Sequence, residues 1–167
     1  MNKMDEKDLN TGKNSYLSFV ISGELFAIDV HHVVKIIEVT KFTKVPQVPD
    51  HFKGVTNFSG GVLPVVDPYV KFGFPTKKAT PKEIVLVLDV HWGDRDIQTG
   101  MLIEEAQEVF EVGAEQIIEY PAAGNKFKAD YIDGVVERNG QFILLLNCNQ
   151  LFFRDDLESI IDANESK

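Results

Sequence analysis

The chain has 167 residues, 44% hydrophobic and 26% charged, which is ordinary for a globular domain with a buried core. Its formal charge of −9 would repel nucleic-acid phosphates and an anionic membrane surface, so neither is an expected partner. Apolar runs such as ILLL at 143–146 are far shorter than the roughly 18 residues of a membrane-spanning helix, and the polar N-terminus does not resemble a secretion signal. The single Cys148 cannot form an internal disulfide, which fits a reducing compartment. We therefore expect a cytoplasmic protein that does not insert into a membrane.

Order is predicted to begin near Tyr16, after a polar, disordered tail of residues 1–14. The segment 16–29 alternates aromatic and β-branched residues around a central glycine, which predicts a two-stranded hairpin. From Asp29 the apolar residues fall at helical spacing, so a short helix capped by Asp29 is predicted next. The residues with this spacing are Val30, Val33, Val34 and Ile37.

Two prolines predict a loop over 41–54, and GVTNFSGGVLPVVD at 54–67 then predicts a second hairpin. Its turn residues Ser59, Gly60 and Gly61 supply the positive-φ tolerance that a tight hairpin needs. Pro64 cannot donate a hydrogen bond to a sheet, so its strand should lie at an edge or carry a bulge. The Gly- and Pro-rich segment 68–82 is predicted to be a loop.

EIVLVLDV at 83–90 is apolar enough for a buried strand, and 100–112 repeats the change from strand to helix seen earlier. The segment 131–152 predicts another hairpin, with Asn139-Gly140 at its turn. Asp155 and Glu158 form a capping-box pattern, which predicts a short C-terminal helix.

These segments contain an internal repeat. Gly54-Val55 and Gly134-Val135 begin matching hairpins 80 residues apart, and the preceding units at 26–39 and 99–112 match at an offset of 73 residues. The chain is therefore predicted to be a diverged duplication of a small β-rich unit. Two packed β-barrels are the expected architecture, because closing a sheet removes its exposed edges.

No residue pattern supports catalysis or a cofactor. His31 and His32 are adjacent and do not share a face, so they cannot readily hold one metal ion. Ser59 lies outside a nucleophile elbow, because Asn57 stands where that motif needs glycine. Cys148 is better explained as a buried structural thiol. We expect no enzyme activity, no cofactor and no metal.

Aromatic residues favour a binding surface instead. Several of the twelve phenylalanines lie in or beside predicted loops, where most should fold back onto the core and some should line a groove or interface. These are Phe42, Phe52, Phe58, Phe72 and Phe74. A non-catalytic binding module fits this pattern best.

Four segments in order resemble the CheW domain, the coupling protein of bacterial chemotaxis. They are FAIDVHHVVKII, VPQVPDHFKGVTNFSGGVLPVVDPYVKFGF, GMLIEEAQEVFEV and YIDGVVERNGQFILLLNCNQLF. The resemblance implies a mainly β fold of two five-stranded SH3-like or OB-like barrels with short helices. The CheW-like domain would cover 15–155, with subdomains near 24–75 and 82–155, strands that either stay within these bounds or are exchanged, and a short helix and tail at 156–167.

The family resemblance also implies a function. Such a protein is a non-catalytic adaptor that joins the cytoplasmic tips of chemoreceptors to the regulatory domain of a CheA-type histidine kinase. It would be a monomer in isolation and would assemble into receptor arrays. The alternatives are a divergent scaffold that serves another pathway, such as surface motility or gene regulation, and, less favoured, a small β-barrel enzyme.

The chain departs from the family pattern at two positions. Ser59 stands where the family has arginine, and Lys35 where it has glutamate, and in the family these two charges are expected to pair across the first barrel. Either a surface pair has drifted neutrally, or the reversed charge directs the protein to a different partner. The resemblance places the contact region of the first barrel at Val33, Lys35, Asn57, Phe58, Ser59 and Gly60.

Overall fold

The structure is a computed structural model that describes residues 13–75, 80–120 and 131–152. Its strands are β1 (Lys13–Ile21), β2 (Glu24–Asp29), β3 (Val33–Val39), β4 (Phe52–Phe58), β5 (Gly61–Val66), β6 (Glu83–Trp92), β7 (Arg95–Ile103), β8 (Glu105–Gly113), β9 (Ile132–Arg138) and β10 (Gln141–Leu146). Two short α-helices, α1 (Pro68–Phe72) and α2 (Cys148–Leu151), follow β5 and β10, and single 3-10 turns lie at Val30–His32 and Ala114–Gln116. The predicted C-terminal helix lies outside the described residues.

The ten strands form two five-stranded sheets. The first sheet has the order β8-β1-β2-β10-β9 and the second has the order β3-β6-β7-β5-β4. The prediction of a mainly β fold with two five-stranded units is therefore confirmed. Each sheet combines the leading hairpin of one repeat with three strands of the other, so strands are exchanged between the segments 24–75 and 82–155.

The internal repeat is visible in the strand registers. β10 pairs in parallel with β2 through Leu145 and Ala27, and β5 pairs in parallel with β7 through Val65 and Gly100, at the offsets found in the sequence. An isolated bridge joins each first hairpin strand to the preceding loop, from Thr43 to Val55 and from Ile118 to Val135. The two repeats thus make the same connections in opposite sheets.

Three hydrophobic clusters hold the fold together. The largest lies between the sheets, where residues of β1 and β2 such as Phe19 and Phe26 belong to one cluster with residues of β6 and β7 such as Leu88 and Met101. Each sheet also encloses a smaller cluster on its other face, around Ala27 and Leu145 in the first sheet and around Val85 and Val87 in the second. The central strands are thus buried on both faces, which explains the unbroken apolar run predicted as a buried strand.

The predicted helix after Asp29 is wrong. Asp29 does cap a turn, since its side chain accepts a hydrogen bond from the amide of His31 at 2.9 Å, but the turn ends at His32 and β3 begins. β3 pairs with β6, and its register shifts between Val33 and Lys35, as a β-bulge produces. The bulge lets Val33 pack between the sheets while Ile37 and Val39 face the second sheet's own cluster. This change of face imitates helical spacing.

The predicted helix within 100–112 is wrong for the same reason. β8 pairs with β1 and carries an equivalent register shift opposite Ser18. The Ser18 hydroxyl contacts both the amide and the carbonyl of Glu108 at 3.2 Å, which satisfies the backbone at the irregular position. Local apolar spacing could not reveal this pairing, because it joins segments about ninety residues apart.

Other predictions need smaller corrections. The strand of Pro64 is not at a sheet edge and its register shifts elsewhere, but only Val65 and Val66 of β5 pair with β7, so Pro64 precedes the doubly paired part. The segment predicted as a loop after Asp67 begins with α1, which has Asp67 as its N-cap. β1 begins at Lys13, within the predicted tail. The five phenylalanines singled out near loops all pack against the clusters.

Candidate partner-binding site

The six residues predicted to contact a partner lie on both edge strands of the second sheet. Val33 and Lys35 belong to β3, Asn57 and Phe58 end β4, and Ser59 and Gly60 form the turn into β5. The pairings β3–β6–β7–β5–β4 make β3 and β4 antiparallel to each other. Lys35 and the Ser59 turn therefore lie toward the same end of these strands.

The conformation of the β4–β5 turn explains why small residues occupy its tip. Ser59 and Gly60 have φ values of 50° and 78°, and Asn139 and Gly140 in the other repeat have 54° and 79°. Positive φ at both central residues is the type I′ pattern that matches the twist of a two-residue hairpin. The predicted turn chemistry is confirmed at Ser59 and Gly60, whereas Gly61 needs no positive φ.

A groove of about 520 Å³ separates the C-terminal half of β3 from β4. We call this groove the open seam. Asn57 is the only one of the six predicted residues that lines it; Phe58 packs against the second sheet's own cluster, and Val33 packs between the sheets. The lining consists of Ile37, Glu38, Val39, Thr40, Lys41, Thr43, Val45, Val55, Thr56, Asn57 and Val62.

The equivalent seam of the first sheet, between β8 and β9, is nearly filled. Its cavity measures only about 20 Å³. Arg138 at the end of β9 crosses it, since its Nη2 lies 2.9 Å from Oε1 of Glu108 on β8 and its guanidinium lies 4.7 Å from the ring centroid of Phe110. We call this arrangement the closed seam.

The repeat offsets show why the two seams differ. Lys35 occupies the position of Glu108, and Phe58 occupies the position of Arg138. Phe58 is uncharged and packs inward, and Lys35 is positive where Glu108 is negative. The open seam therefore cannot form the ion pair that spans the closed seam. Glu108 and Arg138 were not among the predicted site residues, although the offsets of 73 and 80 residues identify both as counterparts of Lys35 and Phe58.

The surroundings of the open seam are less acidic than the chain as a whole. Lys35 is exposed and has no salt bridge to another described residue, and Lys41 and Glu38 both line the groove. Nearby along the chain, the ammonium of Lys53 lies 5.6 Å from the ring centroid of Phe42. Glu38 lines the same groove, and Asp50 and Asp67 lie beside Lys53 in the neighbouring one, so positive and negative charges nearly balance here, whereas the chain as a whole has a charge of −9.

Cys148, His31 and His32 each contact other groups of the fold. Burial raises the pKa of the Cys148 thiol to about 12, with Asp89 and Asp29 adding to the effect, so this thiol is protonated at neutral pH. His31 contacts Asp29 at 2.7 Å, whereas His32 stacks edge-on against His91 with centroids 6.0 Å apart. Within the described ranges, no group of three His, Cys, Asp or Glu side chains is arranged to hold a metal ion.

A polar network joins the two sheets at the turn between β1 and β2. Glu104 accepts hydrogen bonds from the Gly23 amide at 3.0 Å and from the Tyr69 hydroxyl at 3.1 Å. The same hydroxyl lies 3.4 Å from the amide of Ser22. Burial, together with the nearby Glu104 carboxylate, raises the pKa of Tyr69. This network fixes α1 against the hairpin of the other sheet.

Searches against known proteins bear on the whole domain. A family model described as the CheW-like domain matches residues 15–155. "Chemotaxis protein CheW" of Klebsiella aerogenes is 25% identical over 151 residues, which cover 90% of this chain and 89% of the relative. The protein of the same name from Bacillus subtilis is 25% identical over 154 residues, covering 92% and 96% of the two chains.

The fold has a solved counterpart. The crystal structure of the scaffolding protein TtCheW from Thermoanaerobacter tengcongensis superposes with a TM-score of 0.73 at 19% identity, covering 84% of this chain and 88% of that one. Among the described residues, no helix is long and apolar enough to cross a membrane. Because the family model spans most of the chain and the two-sheet fold agrees with it, the chain belongs to the family of CheW-like domains, the scaffold proteins of chemotaxis.

Proposed function

We propose that this protein couples chemoreceptors to a CheA-type histidine kinase in the cytoplasm, without catalysing a reaction. The observation that carries the proposal is the match to the CheW-like domain over 15–155, with relatives named for chemotaxis that it covers almost end to end. The described residues also offer exposed edge strands and an open seam suited to protein contacts. The reactive candidate, Cys148, is buried.

Within this function, we propose that a partner contacts the first-barrel region made of Val33, Lys35, Asn57, Phe58, Ser59 and Gly60. Edge strands present backbone groups and alternating side chains that a partner can bind. The apolar members Val33 and Phe58 are partly buried and hold the strand positions, while Lys35 is exposed for direct contact.

The experiment is a titration of the full chain with the regulatory domain of the CheA-type kinase from the same organism. Isothermal calorimetry measures the binding. A parallel arm measures co-sedimentation with receptor cytoplasmic fragments. Saturable binding to both partners supports the coupling function. If neither partner binds at concentrations of about 1 mM, where only interactions weaker than roughly 4 kcal/mol would be missed, the proposal is wrong.

A second candidate is a divergent CheW-like scaffold with altered partner specificity. Lys35 and Ser59 favour it, because the resembled pattern has glutamate at position 35 and arginine at position 59. The charge is thus reversed at the first position and lost at the second. The Lys35→Glu, Ser59→Arg double variant tests this candidate against the same kinase domain and receptor fragments. Altered selectivity would support a change of partner, and unchanged affinity for every partner would mean that the two positions have drifted neutrally.

A further inference from the structure

We infer that the open seam accepts an extended, acidic segment of a partner protein, which adds as a strand to the free edge of β3. The inference deepens the proposed function and rests on it only in assigning the segment to a signalling partner. The bound segment would be acidic, and Lys35, two residues before the lining of the open seam begins, would select it.

The edge of β3 is available for pairing. Among the described residues, β3 is the terminal strand of its sheet and pairs only with β6. Its residues 34–36 are exposed, with Val34 and Ile36 at 38% and 41%. The facing edge of β4 is already used in part, because Thr43 and Val55 exchange two backbone hydrogen bonds of 2.8 Å. An added strand would therefore pair with β3 rather than with β4.

The open seam provides room beside the C-terminal half of β3, where its lining begins at Ile37, two residues after Lys35. Strands in a sheet lie about 4.8 Å apart, so a new strand needs an open lane next to β3. The open seam holds about 520 Å³, whereas the closed seam, built from the same topology, holds about 20 Å³. Since Arg138 fills the closed seam, the space beside β3 is a property of this seam's own side chains and does not follow from the fold alone. Apolar side chains of Ile37, Val55 and Val62 line it.

The charges select an acidic segment. Lys35 has no carboxylate partner among the described residues, and Lys41 lines the lane, against one acidic lining residue, Glu38. Lysine on an edge strand commonly prevents unwanted pairing, because most incoming strands would bury its charge without compensation. Lys35 attracts only an incoming strand that places a carboxylate opposite its ammonium group. The chain as a whole has a charge of −9 and would repel it elsewhere.

A peptide titration tests the inference on the full-length, isotope-labelled chain by nuclear magnetic resonance. The probe is a peptide of about ten residues that alternates threonine and glutamate, long enough for a typical strand. The first control peptide alternates threonine and lysine. The second repeats the threonine–glutamate sequence with alternate backbone nitrogens methylated, which removes the donors that strand addition needs.

We expect saturable shifts of amide signals in β3 and in the lining of the open seam with the acidic probe only. Lys35→Glu should weaken binding about five- to tenfold, since an attractive contact becomes repulsive. Backbone methylation should weaken it about tenfold or more, because the main-chain hydrogen bonds are lost. Lys13→Glu, an equal change of net charge on an exposed residue of the first sheet, should change affinity less than about twofold.

Three results would overturn the inference: no saturable binding of the acidic probe, equal effects of Lys35→Glu and Lys13→Glu, or shifts centred on β8 and β9. The same variants are titrated with the kinase regulatory domain. Kinase binding without peptide binding refutes the strand-addition model and leaves the coupling function standing. If the unaltered chain does not bind the kinase regulatory domain, the coupling function is refuted, whatever the peptide result.

Discussion

Replacing Gly54 with alanine should strongly destabilise the protein. Gly54 has a φ of 144°, and a Cβ atom built on it would lie 2.6 Å from the carbonyl oxygen of Thr43. The backbone conformation alone should cost an alanine about 1 to 2 kcal/mol. To relieve the overlap, Thr43 must move away from β4, which weakens its two hydrogen bonds with Val55, each contributing about 1 kcal/mol. We therefore expect Gly54→Ala to lower the free energy of unfolding by about 3 to 4 kcal/mol.

Urea unfolding, followed by far-ultraviolet circular dichroism, measures this loss. Gly23→Ala is the matched control for backbone strain, because Gly23 has a φ of 74° but nothing within 4 Å of the added Cβ. It should cost about 1 kcal/mol. Gly61→Ala controls for the substitution itself, since its nearest atom would be 3.7 Å away, and should stay within about 0.5 kcal/mol. If Gly54→Ala costs no more than Gly23→Ala, the close approach of Thr43 is not a source of stability.

Three further outcomes are expected. Arg138→Ala should lower the free energy of unfolding by about 1 to 2 kcal/mol, because an exposed ion pair and a cation–π contact are lost. The same change should speed amide hydrogen exchange in β8. Unchanged exchange would mean that Arg138 does not hold the closed seam. Because burial raises the pKa of the Cys148 thiol from 9.0 to about 12, the unfolded chain releases this proton first, so the thiol's contribution to stability is complete below pH 9 and is lost as the pH rises to about 12. Urea midpoints across this range should fall more steeply for the unaltered chain than for Cys148→Ala, and parallel curves would contradict the assignment. Tyr69→Phe removes the hydroxyl bound to Glu104 and should cost about 1 kcal/mol in the same assay, whereas no loss would show that the network between the sheets contributes nothing.

The hairpins were predictable from sequence because their determinants are local. Asn139-Gly140 and Ser59-Gly60 adopt the positive φ values that their residue types allow, and the flanking strands form where the β-branched runs predict. The capping of α1 was equally local and was still missed. Asp67 before a proline, with Gly73 as a left-handed C-cap, is a complete helix signal within seven residues.

β3 and β8 were mispredicted because their structure depends on distant partners. Each edge strand carries a bulge, so its apolar residues change face partway along and reproduce helical spacing. Sequence spacing cannot separate this pattern from a helix. Only the pairings with β6 and β1 decide it, and those segments lie about fifty and ninety residues away along the chain.

The six candidate site residues remain a prediction from the family resemblance, whereas the shape of the surface around them could not be predicted from the sequence. The family resemblance drew attention to Lys35 and Ser59, and the structure places both toward one end of the antiparallel edge strands β3 and β4. The contrast between an open and a closed seam depends on Arg138, whose partner on β8 is 30 residues away in sequence. The repeat offsets of 73 and 80 residues relate this pair to Lys35 and Phe58, but they do not show whether the side chains meet.

The shared construction of the two sheets has a consequence for how the chain can be divided. Cutting between residues 75 and 80 would release two fragments that each hold a leading hairpin for one sheet and three strands for the other. Neither fragment could complete a sheet alone, so the pair should reassociate as one particle instead of separating into two independent barrels.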